Sequence, residues 1–279
     1  MLKFWKTQTI GNDFVLLRAE DVVGHDIQEL AKNLCRRNFS VGSDGLLVVA
    51  RQDYGLSLQM FNPDGTEDFC GNGLRCAGDH ALREGWEDAG FRILHGGQMI
   101  PTQIASDGSV SITLPPASFR PEDIPALSLG EVCEETVHGV IGTAVSTGSA
   151  HFVALVDQLP EDEAFFKWSP LIELDPLFPE HISVMYCKQT GPANLRLRIW
   201  ERSVGETLGC GTGSVASAIV WARKQNFSGE VTVQNPGGDL RVQFEHWSGP
   251  VTSVSSPKRT FEGFAEVKVG LPSGRASLA

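Results

Sequence analysis

Apolar and polar residues alternate along several short stretches of the chain, and this period of two is typical of half-buried β-strands. The alternating apolar positions are Leu56, Leu58 and Met60, then Val110, Ile112 and Leu114, then Leu195, Leu197 and Ile199. A further stretch has the helical period, and Asp26 is placed to cap its first turn. The apolar positions of that helix are Ile27, Leu30, Ala31, Leu34 and Cys35. The pattern predicts a chain built mostly of strands with a few helices.

The second half of the chain repeats the first at a spacing of about 140 residues. Four pairs of segments match in the same order: 11–17 with 148–155, 56–62 with 195–201, 65–73 with 205–213, and 96–97 with 237–238. Four collinear matches predict a duplicated domain. Prolines in segment 115–121 suit a connector, because proline continues neither a helix nor a ladder. We therefore predict one lobe over 1–116 and a second over 117–258.

Composition and charge limit the classes of partner. At 279 residues the chain is long enough to bury a sizeable core without metals or disulfides. It has 23 Lys and Arg against 34 Asp and Glu, a net charge of −11, and no basic block, which disfavours nucleic acid and anionic membranes as partners. The sequence shows neither a signal peptide nor a membrane-spanning apolar run. We therefore expect a cytoplasmic protein.

The six cysteines are expected to be reduced thiols. The sequence has no Cys-x-x-Cys, no His-x-x-x-His and no other closely spaced set of Cys and His, so we expect no metal site. Cys35, Cys76, Cys133 and Cys187 are interpreted as small apolar core residues. The other two cysteines lie in the repeated glycine-rich segments and need a different explanation.

Those segments read Gly-Thr-Glu-Asp-Phe-Cys-Gly-Asn-Gly at 65–73 and Gly-Glu-Thr-Leu-Gly-Cys-Gly-Thr-Gly at 205–213. Each follows a predicted strand and leads into a helical pattern, which predicts Cys70 and Cys210 at helix N-termini. A helix N-terminus lowers a thiol pKa and binds anions such as carboxylates. The flanking glycines permit φ > 0 and let a ligand approach the backbone.

Two such thiols on duplicated lobes predict a two-base racemisation at an α-carbon. One thiolate removes the proton, the opposite thiol returns one, and the N–H groups stabilise the charge that develops on the carboxylate. Two other classes remain open on the residues alone. One is a dithiol switch in which Cys70 and Cys210 form a disulfide, and the other is a non-catalytic module that binds small molecules.

The segments 62–76 and 201–213 resemble the two signature segments of the diaminopimelate epimerase family, and 11–14, 42–46 and 235–238 fit its pattern in order. The resemblance implies a mixed α/β (α+β) fold of two similar, pseudo-symmetric lobes, each a curved mixed sheet around a central helix, with segment 259–270 returning to the first lobe. It also implies a homodimeric enzyme without a cofactor. That enzyme interconverts LL- and meso-2,6-diaminopimelate in lysine biosynthesis; a racemase for another amino acid is the alternative.

Matched residue by residue, the resemblance makes Cys70 and Cys210 the acid/base pair, with His151 assisting the first and Glu201 the second. Without it, His151 is an ordinary strand histidine and Glu201 half of a surface ion pair. The resemblance also implies that the small amino-acid substrate is held by Asn12, Asn62, Gly71, Asn72, Ser149, Ser183, Arg202, Gly211 and Thr212. Arg202 is expected to bind the distal carboxylate, because its planar guanidinium forms two bonds to such a group.

Some positions depart from the family pattern. The family usually has Gly-Asn-Pro-His where this chain has Gly-Ser-Ala-His at 148–151, a second expected asparagine is Ser183, and the usual Glu-Arg-Gly ends in Ser203. A serine hydroxyl is shorter than an amide and has one donor fewer. Recognition of the distal end of the substrate is therefore the part of the interpretation that depends most on these departures.

Overall fold

The computed structural model of the protein describes residues 1–267. The first lobe contains β1 (Leu2–Thr9), β2 (Asn12–Arg18), α1 (Ile27–Leu34), β3 (Gly45–Gln52), β4 (Gly55–Phe61), α2 (Gly71–Arg83), β5 (Gly90–His95), β6 (Gln98–Ile104) and β7 (Val110–Leu114). The second contains β8 (Glu135–Val137), β9 (Val140–Ser146), β10 (Ala150–Leu155), α3 (Asp162–Glu173), β11 (Ser183–Gly191), β12 (Asn194–Glu201), β13 (Gly205–Glu206), α4 (Gly211–Gln225), β14 (Gly229–Asn235), β15 (Gly238–Phe244) and β16 (Val251–Ser255). Strand β17 (Lys258–Ala265) follows.

Strand pairing follows the same plan in both lobes. In the first, β2 runs parallel to β3 and β4 parallel to β5, while β3–β4, β5–β6 and β6–β7 are antiparallel. In the second, β10 runs parallel to β11 and β12 parallel to β14, with antiparallel β11–β12, β14–β15 and β15–β16. The predicted mixed α/β fold with two similar lobes is confirmed.

Two pairings link the halves of the chain. Strand β7 pairs antiparallel with β16, and β17 pairs antiparallel with β1. The β17–β1 pair corresponds to the antiparallel β8–β9 pair of the second lobe. Strand β17 covers part of segment 259–270, and residues 268–279 lie outside the described residues. The lobe boundary at 116/117 and the return of 259–270, whose last three residues are not described, remain predictions.

The cysteine-led helices α2 and α4 form the centre of the protein. Residues 71–81 of α2 and 211–222 of α4 are buried, and both helices share one apolar cluster with strands of both lobes. Their small residues let the sheets wrap around them, and a helix enclosed on all sides needs no polar face. The N-termini of these helices are therefore held inside the protein.

Most local predictions are confirmed. The three alternating stretches form β4, β7 and β12, and Asp26 caps α1 by accepting the N–H of Glu29. The prediction of a core position for Cys133 is wrong, because this side chain is exposed while the preceding Val132 is buried. Neighbouring side chains on extended backbone point to opposite sides, and only one of the two can face the core.

Candidate active site

Cys70 and Cys210 occupy equivalent positions in the two lobes, as the sequence predicted. Each is the N-cap of its helix, and each Sγ accepts the N–H of the third residue onward, Gly73 or Gly213, at 3.3 Å. An N-cap residue has extended backbone, while its side chain satisfies one of the free N–H groups of the first turn. Both thiols are thereby fixed at the positive ends of helix dipoles.

The two helix N-termini meet. A Cβ built on Gly71 would lie 3.8 Å from Thr212 Cγ2, and one built on Gly211 would lie 2.6 Å from Asn72 Oδ1. Within residues 1–267, the amide N–H groups of Gly71, Asn72, Gly211 and Thr212 have no hydrogen-bond acceptor. Four free donors at two facing helix ends form a site for an anion.

Close approach explains the glycines better than backbone strain does. Glycine permits φ > 0, but Gly71, Gly73, Gly211 and Gly213 do not use this freedom and lie in ordinary first turns. A Cβ at Gly213 would lie 2.6 Å from Met185 Sδ, which is shorter than any van der Waals contact. Neighbouring atoms leave no room for a Cβ at Gly73, Gly211 or Gly213, whereas Gly71 has room for one.

Polar groups surround Cys210. Its Sγ lies 3.8 Å from His151 Nε2 and 3.6 Å from Thr212 Oγ1, and those two atoms are 3.3 Å apart. Glu201 lies on the same side and accepts a 2.6 Å hydrogen bond from Thr207 Oγ1. Asn235, at the end of β14, accepts the backbone N–H of Cys210 at 3.4 Å.

Cys70 has a simpler environment. Its backbone N–H donates to His95 Nε2 at 2.9 Å, and His95 Nδ1 lies 3.0 Å from the Leu58 carbonyl oxygen. Since that carbonyl can only accept, the Nδ1 carries the proton of a neutral ring. The ring stacks on Phe69 at 4.8 Å between centroids. His95 ends β5 as Asn235 ends β14, so each lobe uses the end of an equivalent strand to hold its cysteine.

Burial changes the expected ionisation of both thiols. The helix N-terminus had been expected to lower their pKa, but burial raises the pKa of Cys70 to about 12 and that of Cys210 well above its ordinary value. Glu201 acts in the same direction on both, while the N–H of Gly73 or Gly213 partly opposes it. The desolvation of a thiolate therefore outweighs one helix end.

The supporting acid and base groups are also buried. Burial lowers the pKa of His151 to about 3, so its ring is neutral at physiological pH. Burial raises the pKa of Glu201, against the hydrogen bonds from Thr207 and Cys210. The resemblance assigns His151 to Cys70, but among the described residues His151 is in contact with Cys210 and has no hydrogen bond to Cys70.

The candidate substrate-binding side chains are engaged with one another. Asn12 Oδ1 accepts from Asn72 Nδ2 at 3.1 Å, and Asn12 Nδ2 donates to Asp44 at 2.9 Å. Ser149 Oγ donates to Thr212 Oγ1 at 3.2 Å, and Asn62 Nδ2 donates to Thr66 at 3.1 Å. Each side chain is therefore oriented before a ligand binds.

Arg202 lies at the outer end of the cleft and joins the lobes. Its Nη2 is 3.2 Å from Asp68 Oδ2, its Nη1 donates to the Glu180 carbonyl at 3.2 Å, and its backbone N–H donates to Ser183 Oγ at 3.0 Å. Ser183 therefore holds the Arg202 backbone, while Asp68 orients its guanidinium. A carboxylate and a guanidinium stand side by side at this end.

A single cleft between the lobes contains every candidate residue. It is lined by Cys70, Cys210, His151, Glu201, Asn12, Asn62, Gly71, Asn72, Ser149, Ser183, Arg202, Gly211 and Thr212. Sequence reasoning missed Asp44, Asp68, Phe69 and Thr207, which also line it. All four lie in segments that carry the family resemblance, 42–46, 62–76 and 201–213, and this was the available signal. His95 gave a signal as well, because it stands before Gly96-Gly97 as Asn235 stands before Pro-Gly-Gly.

Two features are absent from residues 1–267. No helix in that range is long and apolar enough to cross a membrane. No group of three or more His, Cys, Asp or Glu side chains in that range is arranged to hold a metal ion.

Comparison with known proteins gives a consistent set of relatives. The family model described as diaminopimelate epimerase matches residues 4–119 and 143–258. The chain is 34% identical over 281 residues to the diaminopimelate epimerase of Pelotomaculum thermopropionicum, covering 93% of this chain and 100% of the relative. It is 36% identical over 269 residues to that of Methanothrix thermoacetophila, covering 91% and 94%.

A solved structure gives independent support for the architecture. The hydroxyproline epimerase of Agrobacterium vitis, solved with trans-4-hydroxy-L-proline bound, superimposes with a TM-score of 0.70 over 95% of this chain and 92% of that chain. The two sequences are only 14% identical, so this likeness concerns the fold alone.

Proposed function

The chain belongs to the diaminopimelate epimerase family and is an isomerase, and from this premise we propose that it interconverts LL- and meso-2,6-diaminopimelate with Cys70 and Cys210 as an acid/base pair. The alternative, a racemase of another amino acid, would use the same inner cleft. A cleft disulfide switch would leave the free N–H groups without a role.

One observation carries the proposal: four free N–H groups stand between two symmetrically placed thiols. The amides of Gly71, Asn72, Gly211 and Thr212 can hold the carboxylate of an amino acid at the facing helix ends. A carboxylate held there has its α-carbon next to both N-cap side chains. That is the arrangement that a two-base inversion requires.

The reaction proceeds through a carbanion with enolate character. The thiolate of one cysteine takes the α-proton and becomes a thiol, and the electron pair of the C–H bond moves toward the carboxylate. The other cysteine, a thiol at the start, gives its proton to the opposite face and becomes the thiolate. The four N–H groups stabilise the charge that develops on the carboxylate oxygens. All the groups in these steps belong to the chain, so no cofactor is needed.

We propose that the neighbours of Cys210 move its proton. Thr212 and the neutral His151 ring lie within 3.6 Å and 3.8 Å of its Sγ and can accept or donate as the thiol changes state. Glu201 opposes a negative charge on both thiols, so it favours the protonated form of Cys210. This direction suits a cysteine that begins one half-reaction as the acid.

The outer end of the cleft suits the far end of diaminopimelate. That end carries both an ammonium and a carboxylate, and the cleft presents Asp68 beside Arg202 at 3.2 Å. We propose that Arg202 binds the distal carboxylate and Asp68 the distal ammonium. A substrate with a single carboxylate would leave this ion pair unused.

The decisive experiment is incubation of reduced protein with LL-diaminopimelate in D₂O without added cofactor. Two-base inversion places deuterium at the α-carbon of the meso product, while substrate recovered early stays unlabelled, because the acid that protonates the product exchanges with solvent. The isomer ratio is followed by chiral chromatography and the label by mass spectrometry.

Free proline and trans-4-hydroxyproline serve as matched alternative substrates in the same assay. Label in either of them but not in diaminopimelate contradicts the substrate and keeps the mechanism. Equal label in early recovered substrate and product contradicts the two-base mechanism. No exchange into any amino acid by fully reduced protein contradicts the proposed enzyme function.

The proposal places the enzyme in lysine biosynthesis as a homodimer. Phe261 and Phe264, on β17, are exposed apolar side chains and are candidates for a subunit contact. Light scattering of the full chain tests the dimer. The cytoplasmic location stays a prediction from the sequence.

A further inference from the structure

Arg75 is a fully buried arginine without an acidic partner. Its side chain is among the largest that are completely excluded from solvent. Within the described residues it forms no ion pair, and its Nε has no hydrogen-bond partner. Arginine is almost never buried unless it is paired, because removing a charge from water costs several kcal/mol.

The guanidinium lies between the two cysteine segments. A Cβ built on Gly211, next to Cys210, would lie 2.6 Å from Arg75 Nη2, and one built on Gly71, next to Cys70, would lie 4.0 Å from Nη1. Nη2 donates to Asn72 Oδ1 at 2.5 Å and Nη1 to Ser253 Oγ, on β16, at 2.9 Å. One cation thus touches the first turns of both helices.

The surrounding charges make this position unfavourable without an anion. The facing helix ends both carry positive partial charge, so they repel the guanidinium. Three titratable groups surround it: Cys70 at the N-cap of α2, Cys76 within α2, and Cys210 at the N-cap of α4. Strand β16 contributes only the neutral Ser253. The inner cleft therefore holds an excess of positive charge that a thiolate or a carboxylate would balance.

We propose that Arg75 is the positioning residue that supplies the buried positive charge for the thiolate and for the substrate carboxylate. It acts from behind the helix ends, without contact with the reacting carbon. It also fixes the Asn72 amide: with Oδ1 held by Arg75, Nδ2 points to Asn12 and to the Gly209 carbonyl, at 3.1 Å and 3.3 Å. The inference rests on the proposed two-thiol function.

The direction of the effect on the thiols is fixed by electrostatics. A nearby cation favours the thiolate and lowers the pKa of a cysteine, and Arg75 acts in this sense on Cys70 against its burial. Removing the charge therefore raises the thiol pKa and shifts cysteine reactivity to higher pH.

The test compares Arg75→Met, Arg75→Gln and Arg75→Lys with the unsubstituted protein. Iodoacetamide alkylation of Cys70 and of Cys210 is followed by peptide mass spectrometry from about pH 6 to about pH 10. In the Met and Gln variants we expect the alkylation rate of the cleft thiols to fall by about tenfold across this pH range, because a higher thiol pKa leaves a smaller thiolate fraction at each pH. Lysine restores the charge and should restore the rate.

Thermal unfolding separates this role from a structural one. Replacing a buried charge by an apolar side chain of similar length is often neutral or stabilising, so Arg75→Met should melt at or above the temperature of the parent. Ser253→Ala is the matched control, since it removes one hydrogen bond from Arg75 and keeps the charge. Its alkylation profile should not move.

An alkylation profile of Arg75→Met or Arg75→Gln equal to that of the parent overturns the proposal. So does a profile of Arg75→Lys that follows the Met variant, because the charge would then be irrelevant. If Gln prevents folding, the Met and Lys variants still decide the question. Alkylation needs no substrate, so failure of the diaminopimelate assay leaves this result unaffected.

Discussion

The two cysteine sites share their backbone geometry and differ in the polar side chains around the thiol. Cys70 and Cys210 cap equivalent helices with the same 3.3 Å bond, yet Cys70 is partly exposed and Cys210 is buried. Around Cys210 stand His151 and Thr212, and the first lobe brings no equivalent pair to Cys70 among the described residues.

The duplicated lobes thus place the two thiols equivalently, while side chains that differ between the lobes give each thiol its own surroundings. A racemase acting in both directions needs two similar acid/base groups, but LL- and meso-diaminopimelate are not mirror images. The two faces of the carbon therefore meet different surroundings. Substitutions at one cysteine site, at both sites, or that place a residue of one site in the other should separate the effect of the shared geometry from the effect of the different surroundings.

The largest effect is expected from removing either thiol. Cys70→Ser and Cys210→Ser should each lower the epimerisation rate by about 10²- to 10⁴-fold, because a serine hydroxyl is far too weak an acid to replace the thiol. The rate is measured in both directions by chiral chromatography. Cys133→Ser, at an exposed cysteine outside the cleft, is the matched control and should retain the parental rate. Near-parental activity of either cleft variant would contradict the two-thiol mechanism.

The next effect concerns the ion pair that joins the lobes at the cleft entrance. Arg202→Gln should raise the KM for diaminopimelate by about 10- to 100-fold, the range for a lost hydrogen bond to a charged group. Asp68→Asn should raise it by about tenfold, because the distal ammonium loses its counter-charge. Arg196→Gln, on β12, which ends one residue before Arg202, lies outside the cleft lining and should leave KM unchanged. An unchanged KM in Arg202→Gln would show that the distal end binds elsewhere.

Much of this arrangement could be predicted from the sequence, because its signals are local or repeated. Cys70 and Cys210 could be placed at helix N-termini from strand, turn and helix patterns within a few residues of each. The repeat then placed them opposite one another. Strand alternation and glycine turns encode short-range geometry. The strands and helix starts that depend on this geometry were predicted correctly.

The electrostatics could not be predicted in this way. The thiol pKa depends on how completely both lobes enclose the helix ends, and the expected lowering was wrong because burial outweighs the helix dipole. Arg75 looks in the sequence like any helical arginine. Its partner Ser253 and its neighbour Gly211 are distant along the chain, so only the folded structure reveals an unpaired buried charge.

A smaller effect is expected in the pH dependence of the free energy of unfolding, to which a buried histidine in each lobe contributes. Burial lowers the pKa of both His80, on α2, and His151, on β10, to about 3. Between pH 6.5 and pH 3 the unfolded chain binds protons there and the folded chain does not, so stability falls as the pH falls. Each histidine should cost about 2 kcal/mol between pH 7 and pH 5.

The substitution His80→Asn tests this prediction. The His80 ring packs between Trp5 and Trp86, so its replacement leaves the contacts of Cys70 and Cys210 in place. The free energy of unfolding from urea titrations should depend less steeply on pH in the variant. An equal slope in His80→Asn would show that this ring binds protons equally in the folded and the unfolded chain, which contradicts the lowered pKa.

The smallest effect is expected when the residue that accepts the backbone N–H of Cys70 is replaced by the type of residue that accepts the backbone N–H of Cys210. His95 Nε2 accepts the Cys70 N–H, whereas Asn235 Oδ1 accepts the Cys210 N–H. Burial lowers the pKa of His95, against the Leu58 carbonyl and Asp68, so the ring becomes protonated only below the ordinary range of histidine. A protonated ring carries a hydrogen at Nε2 and cannot accept. The first cysteine should therefore be released in acid while the second is not.

His95→Asn gives the first lobe the same type of acceptor that Asn235 provides in the second. Activity at neutral pH should stay within about threefold of the parent, because only one hydrogen bond changes modestly. Below pH 6.5 its kcat/KM should decline less than that of the parent, because the titrating ring is gone. His95→Leu, which offers no acceptor, should lose about tenfold at every pH. An acid limb that persists unchanged in His95→Asn would assign the pH dependence to another group, and equal activity of the Asn and Leu variants would show that the Cys70 amide needs no partner.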